Sequence, residues 1–417
     1  MLSEAVPVVN RWSSLPDDIF ADIISRVGFP HKAVITVSNT SFIIKHTADK
    51  DAPTYNLYEF WTTLDKLFTV FIPPFIDTFS LDLHPAHYDE SRCWPIMYRW
   101  ARQLRACNIQ HLTAKALRRR RSDDQVYPPI FFQMHSLVSL KLNLCDNRIK
   151  SSVPRSIILL PKLKKLTLDW INYGFLKRLL SNCPSLEDLS LSVDKIEERL
   201  VSLTSKKLKR LRIALEGFSI RDFIIDAPML EKLDYYSFTI FSMRMLYSIS
   251  DVKSLKVEGR IILGRIDLGS ETTMIFPNLS HLNLVIYSPE IFKAIGLMLY
   301  CPKLEVFELR LDSLNNMVWN QEAVFVPVEH VKHIKLDPST SFDDLFGKGM
   351  LDLVGFLLRS AKGLKKLTLT ADDDTYRFYL AKPPHFYQAL FDCVQATSRC
   401  QVELLGVYKR PNEDLFI

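Results

Sequence analysis

The sequence predicts an α/β solenoid: a curved parallel sheet with helices on its other face, preceded by a small α-helical module. Three observations predict it. A short apolar signature recurs along the chain, prolines stand at a fixed distance before many of its copies, and helical periodicity fills the gaps between copies.

The opening module is read over residues 11–50, where "SSLPDDIFADIISRVG" carries its own start and stop signals. Ser14 suits the cap, with Asp17 three positions on, and Pro16 falls in the first turn where its missing N–H does no harm. Asp17 and Asp18 suit the positive end of the helix dipole. Ile19, Ile23, Ile24 and Val27 then share one face, and Gly28 suits the end.

Residues 51–130 read as a linking region with two weak copies of the signature, "IDTFSL" at 76 and "IQHLTA" at 109. Aromatics are dense from here into the first full repeat (Trp61, Phe68, Phe71, Phe75, Trp94, Trp100, Phe131, Phe132), and their apolar neighbours assign them to core. The basic run Leu117–Arg121, followed by "SDDQ", reads as a solvated loop rather than a nucleic-acid contact.

Residues 131–325 hold most of the strong copies: "LVSLKL" at 137, "LKKLTL" at 163, "LEDLSL" at 186, "LKRLRI" at 208, "LEKLDY" at 230, "VKSLKV" at 252, "LSHLNL" at 279 and "LEVFEL" at 304. Two more, "VKHIKL" at 331 and "LKKLTL" at 364, lie in a closing region read over 326–410. Successive starts are 26, 23, 22, 22, 22, 27, 25, 27 and 33 residues apart. Most of these steps fall in the range of leucine-rich repeats, about 20–29 residues.

The last two apolar positions of each copy are two residues apart, so in a strand they leave on one face. The residue between them is then displayed, as with Lys141, Thr167, Ser190, Arg212 and Asn283. Pro161, Pro184, Pro228, Pro277 and Pro302 each stand two residues before a copy, where a strand begins and its first ladder donor is not yet needed. Between copies, residues 174–184, 289–302 and 349–363 show helical spacing. A single unit cannot bury its leucines alone, so stacking must supply the core.

Composition limits the function. A hydrophobic fraction of 47% with 24% charged residues suits a fully folded chain, and a net charge of +6 over 417 residues is too mild to argue for nucleic acid. Seven cysteines, at 93, 107, 145, 183, 301, 393 and 400, form no C-x-x-C pair, which suits reduced structural thiols rather than a zinc cluster. The start "MLSEAVPVVN" lacks the pattern of a secretory signal, and no run approaches the ~18 apolar residues of a membrane span. The expectation is a protein of the cytoplasm, the nucleus or both, with no membrane and no nucleic-acid partner.

Phosphate-cradling and nucleophile-elbow motifs are absent from a chain with twelve glycines, so no enzyme reading gains support. The pairs His84/His87 and His330/His333 sit beside no cysteine pair, and His333 should point outward from its strand, so no metal or other cofactor is expected.

On these residues the chain resembles the plant F-box/LRR proteins that carry a C-terminal FBD region. "LPDDIFADIISRV" is similar to the first helix of an F-box. "FFQMHSLVSLKLNLCD" (131–146), "LLPKLKKLTLDWINY" (159–173) and "LLSNCPSLEDLSL" (179–191) are similar to successive repeats of that family. "LVGFLLRSAKGLKKLTL" (353–369) and "FYQALFDCVQATSRCQVEL" (386–404) resemble the two halves of the FBD region. The resemblance implies a non-catalytic substrate receptor of an SCF-type cullin-RING ubiquitin ligase. Its F-box would dock on a Skp-type adaptor, and through it cullin, while the repeats hold a target protein that the sequence does not identify. The implied adaptor-facing residues are Leu15, Pro16, Ile19, Ile23, Ile24 and Val27. One departure stands out. Family members continue into a basic, tryptophan-bearing segment, whereas this chain gives "HKAVITVSNTSFIIKHTADKDAP", in which residues 31–38 occupy the place of the second helix. The alternative reading is therefore a non-catalytic scaffold whose F-box has decayed.

Overall fold

The computed structural model describes residues 33–37, 41–46, 76–82, 90–115, 129–143, 158–171, 173–194, 200–216, 222–237, 243–259, 276–286, 295–311, 328–338, 346–371 and 400–406, with single positions 62, 65, 66, 68, 69, 388 and 392. The chain divides into two compact units, Met1–Asp194 and Lys195–Ile417.

In the first unit β1 (Ala33–Val37) pairs antiparallel with β2 (Ser41–His46). The following strands are parallel and add one at a time in chain order: β3 (Thr78–Asp82), β4 (His111–Lys115), β5 (Ser139–Asn143), β6 (Lys165–Ile171) and β7 (Asp188–Asp194). The helix expected over 31–38 is thus corrected to a strand. Val34, Ile35, Thr36 and Val37 are four consecutive β-branched residues, stiff at χ1 and suited to a pleated ribbon, and this local preference outweighs the helical pattern of the family. The weak copies at 76 and 109 are full repeats: β3 buries Phe79 and Leu81, and β4 buries Leu112 and Ala114, at the register of later leucines.

Helix α1 (Glu90–Ala106) joins β3 to β4. It ends at Asn108, whose φ of 55° is left-handed, with the Ile109 N–H donating back to the Leu104 carbonyl at 3.4 Å. Asparagine tolerates that conformation and the long return bond satisfies an end carbonyl. Trp100 of α1 packs on Phe68 and Phe79 with ring centroids 4.7 and 6.0 Å away. Helix α2 (Tyr173–Ser181) joins β6 to β7 and sets Phe175 edge-on to Phe132 at 5.4 Å.

In the second unit the main parallel strands run β9 (Arg210–Glu216), β11 (Lys232–Ser237), β12 (Ser254–Gly259), β13 (His281–Ile286), β14 (Val306–Leu311), β15 (His333–Pro338), β16 (Lys366–Ala371) and β17 (Gln401–Gly406). The two FBD-like segments end in β16 and β17. Between the main strands, β8 (Leu200–Thr204) and β10 (Asp222–Asp226) pair parallel as a separate two-stranded sheet. Helix α3 (Met243–Ser248) takes the equivalent place one repeat later, and Ser248 Oγ accepts the Ile225 N–H at 3.2 Å. Helix α4 (Phe346–Ser360) fills the longest step and buries Leu353, Val354, Leu357 and Leu358 along one side.

Step length selects the return element. A strand covers about 3.3 Å per residue and a helix 1.5 Å, so a short return favours a strand. Two of the 22-residue steps return through β8 and β10 and the third through the six-residue α3, while the 33-residue step houses the 15-residue α4.

All three apolar positions of all ten strong copies are buried. The prolines sit in turns closed by a backbone bond that spans them, as in Leu163 N–H to Leu160 carbonyl at 3.2 Å and Leu304 N–H to Cys301 carbonyl at 3.0 Å. Each proline is the second turn residue, where its fixed φ is preset. A second device aligns the repeats. Among the described residues, most entrances of the parallel strands have one carbonyl that receives two N–H groups of the next repeat, as when Lys253 and Ser254 both donate to Glu231 at 2.8 and 3.0 Å. The array is therefore an LRR solenoid whose registration is carried by backbone and leucine alike.

Candidate functional site

Alternation along the strands gives each unit one displayed face. In the first, Lys141, Thr167 and Ser190 stand in register on adjacent strands, each half-buried between leucines that face the core. In the second, Arg212, Asp234, Lys256, Asn283, Glu308, Lys335, Thr368 and Glu403 form the corresponding row. All five residues expected on display are on it.

From β13 onward several members of this face pair with one another. Asn283 Nδ2 donates to Glu308 Oε2 at 2.7 Å, Lys366 pairs with Glu403 at 2.7 Å, and Arg310 lies 3.7 Å from Asp337. His333 sits 2.9 Å from Thr368 Oγ1 and is partly exposed, as its outward direction required. Burial lowers its pKa, helped by Lys366 and opposed by Glu308. At the strand entrances Lys253 pairs with Glu231 at 2.9 Å, and Lys332 pairs with Glu305. Glu231, Glu305 and Glu403 have lowered pKa values because each carboxylate accepts a hydrogen bond from its lysine.

Over β9, β11 and β12 the arrangement differs. The ring of Tyr236 is flanked from both neighbouring strands, with Arg212 Cζ 5.2 Å and Lys256 Nζ 5.0 Å from its centroid. Arg212 Nη2 donates to the Tyr236 hydroxyl at 3.3 Å. Tyr236 and Lys256 escaped the sequence reading. The signal was alternation, since the residue after the buried Tyr235 must face outward.

The adaptor-facing candidates Leu15, Pro16, Ile19, Ile23, Ile24 and Val27, the pair His84/His87 and the run Leu117–Arg121 lie outside the described residues. Among the described residues no group of three or more His, Cys, Asp or Glu side chains is placed to hold a metal ion. The buried thiols of Cys183 and Cys301 are pushed up to about 12 by desolvation and stay protonated at neutral pH. What this surface offers chemically is recognition by cations, an aromatic ring and paired polar groups.

Residues 97–278 match the family model described as "FBD-associated F-box protein At5g56370, LRR repeats". The chain is 27% identical to the FBD-associated F-box protein At4g10400 of Arabidopsis thaliana over 410 residues, covering 87% of this chain and 93% of the relative. It is 30% identical to the F-box protein At4g09920 of the same plant, covering 53% of this chain and 72% of the relative. A third relative, the FBD-associated F-box protein At5g38590, is 25% identical over 70% of this chain and 74% of its own length.

Proposed function

The chain belongs to the F-box/LRR family with an FBD region, and from that membership we propose that it is the substrate-recognition subunit of an SCF-type ubiquitin ligase. In this reading residues 11–30 dock on a Skp-type adaptor, and through it cullin, and the repeat array holds the target. The subunit transfers no ubiquitin itself and works in the cytoplasm or nucleus. What supports the reading is one sequence that carries an F-box-like stretch at residues 11–30 ahead of ten copies of the repeat signature, whose apolar positions are buried and whose intervening residues are displayed in each unit.

The test is capture of a purified Skp-type adaptor by the full chain, with Ile23→Asp as the control. Capture by wild type and loss in the variant support the reading. Absence of capture by wild type rejects adaptor-dependent function.

A second reading, a non-catalytic interaction scaffold with a decayed F-box, is favoured by one observation. Ala33–Val37, which the resemblance assigns to the second F-box helix, is a strand paired with Ser41–His46. The same experiment separates the two readings, because the scaffold requires no adaptor.

A further inference from the structure

We propose that the displayed face of β9, β11 and β12 is the subsite that receives the target, and that it takes an acidic, extended segment of a protein. Arg212 and Lys256 receive its carboxylates to either side of Tyr236. The proposal rests on the reading of the repeat array as the target-holding part.

The first argument is where charge is left over. Across β13 to β17 two cations of the face lie by carboxylates of the face, Lys366 on Glu403 at 2.7 Å and Arg310 by Asp337 at 3.7 Å. Arg212 has no carboxylate within 4.0 Å among the described residues, and its recorded partners are the ring and hydroxyl of Tyr236. Lys256 approaches Glu258 at 3.7 Å, as Arg310 does Asp337, so the distinguishing cation of this face is Arg212. Residues 205–215, which lead into and form most of β9, contain five cations and no carboxylate. Cations thus outnumber carboxylates along this segment of the chain, and Arg212 is the one set to receive an anionic partner.

The second argument is that the cations are held in place. Cation–π contact with one ring from both sides fixes two otherwise flexible side chains, and the hydroxyl contact orients the guanidinium. Ordering them in advance lowers the entropy cost of binding. With one nitrogen donating to the Tyr236 hydroxyl, the Arg212 guanidinium retains further N–H donors for a carboxylate.

The third argument selects a peptide over a nucleic acid. Asp234 stands directly between Arg212 and Lys256 in the row, and Glu258 follows beside Tyr236. A continuous phosphate backbone crossing this row would meet both carboxylates. Discrete acidic side chains can straddle Asp234 instead. Two strand spacings separate the cations by about 10 Å, which matches acidic residues three apart in a polyproline-II segment, where three residues per turn at about 3.1 Å each return both side chains to one side.

The test uses the full chain and a fluorescein-labelled peptide of Glu and Ser with Glu at every third position, read by anisotropy at low and moderate salt. The expected result is saturable binding that weakens about tenfold in Arg212→Gln/Lys256→Gln. Binding should also weaken in Tyr236→Ala and be retained in the charge-matched control Arg310→Gln/Lys335→Gln. Equal weakening in the control, no binding by wild type, or equal binding of the all-Gln peptide overturns the proposal, as does tighter binding of single-stranded or duplex oligonucleotides. Unfolding midpoints confirm that the variants fold, and adaptor capture is scored in parallel. Retained capture with an unaffected double variant rejects this subsite alone, whereas lost capture by wild type rejects the underlying reading.

Discussion

Gly363 lies directly against the backbone of Glu329: a β-carbon added to this glycine would stand 1.8 Å from the Glu329 carbonyl oxygen. Gly363 occupies the turn between α4 and β16, and Glu329 lies just ahead of β15 in the preceding repeat. Neighbouring repeats are thus packed backbone to turn, with no room for a side chain. Gly363→Ala must push the two repeats apart or distort the turn, at a cost of about 1–3 kcal/mol or more. A fall in the thermal or urea midpoint is expected. An unchanged midpoint would mean that the turn can move freely.

The register makes a sharper demand on adjacent residues. Leu189 is fully buried in β7, while its neighbour Ser190 is displayed. Leu189→Ala removes packing and leaves a cavity, for about 2–5 kcal/mol. Ser190→Ala should stay within about 0.5 kcal/mol, as surface changes usually do. Comparable losses in the two variants, measured by chemical denaturation, would contradict the assignment of faces.

How legible this was depends on the element. The ten strong copies were readable because every repeat must bury the same three side chains, so a single requirement is written ten times. The copy at 109 was faint because Ala114 fills a leucine position. β8 ("LVSLT") and β10 ("DFIID") were missed because five-residue apolar runs carry too little periodicity to separate strand from helix. β1 departs from the family pattern because four β-branched residues in a row favour a strand there. The Arg212, Tyr236 and Lys256 cluster was half legible. Alternation gives the outward direction of each residue, but the meeting of residues 24 and 20 positions apart depends on cross-strand register, which a single strand does not encode.

The first unit is held at its aromatic end by one carboxylate with two duties. Asp65 Oδ1 accepts the Trp100 indole N–H at 3.0 Å, and Oδ2 accepts Arg99 Nη1 at 2.7 Å. Arg99 is half-exposed, so its ion pair contributes little, whereas Trp100 is fully buried. Asp65→Ala takes away the buried indole's carboxylate acceptor and should cost about 1–3 kcal/mol. Asp65→Asn retains an oxygen for the indole and should recover most of that loss. Tryptophan emission during urea unfolding measures both, and equal destabilisation by the two variants would assign the effect to Arg99 instead.

Acid should weaken the second unit in two stages. His333 has its pKa lowered below the ordinary 6.5, chiefly by burial. The unfolded chain therefore binds its proton first, and stability falls as pH drops below about 6.5, until the folded form protonates as well. Glu231, Glu305 and Glu403 have pKa values lowered from 4.5 by their lysines, so the stability they contribute is present above 4.5 and lost as pH falls through their folded values. The urea midpoint should decline from pH 7.5 to 5.5 and decline again below 4.5. His333→Gln isolates the upper stage, because the amide retains a polar group opposite Thr368 and has no proton to gain. If the midpoint of that variant falls between pH 7.5 and 5.5 as steeply as wild type, His333 is not the group responsible.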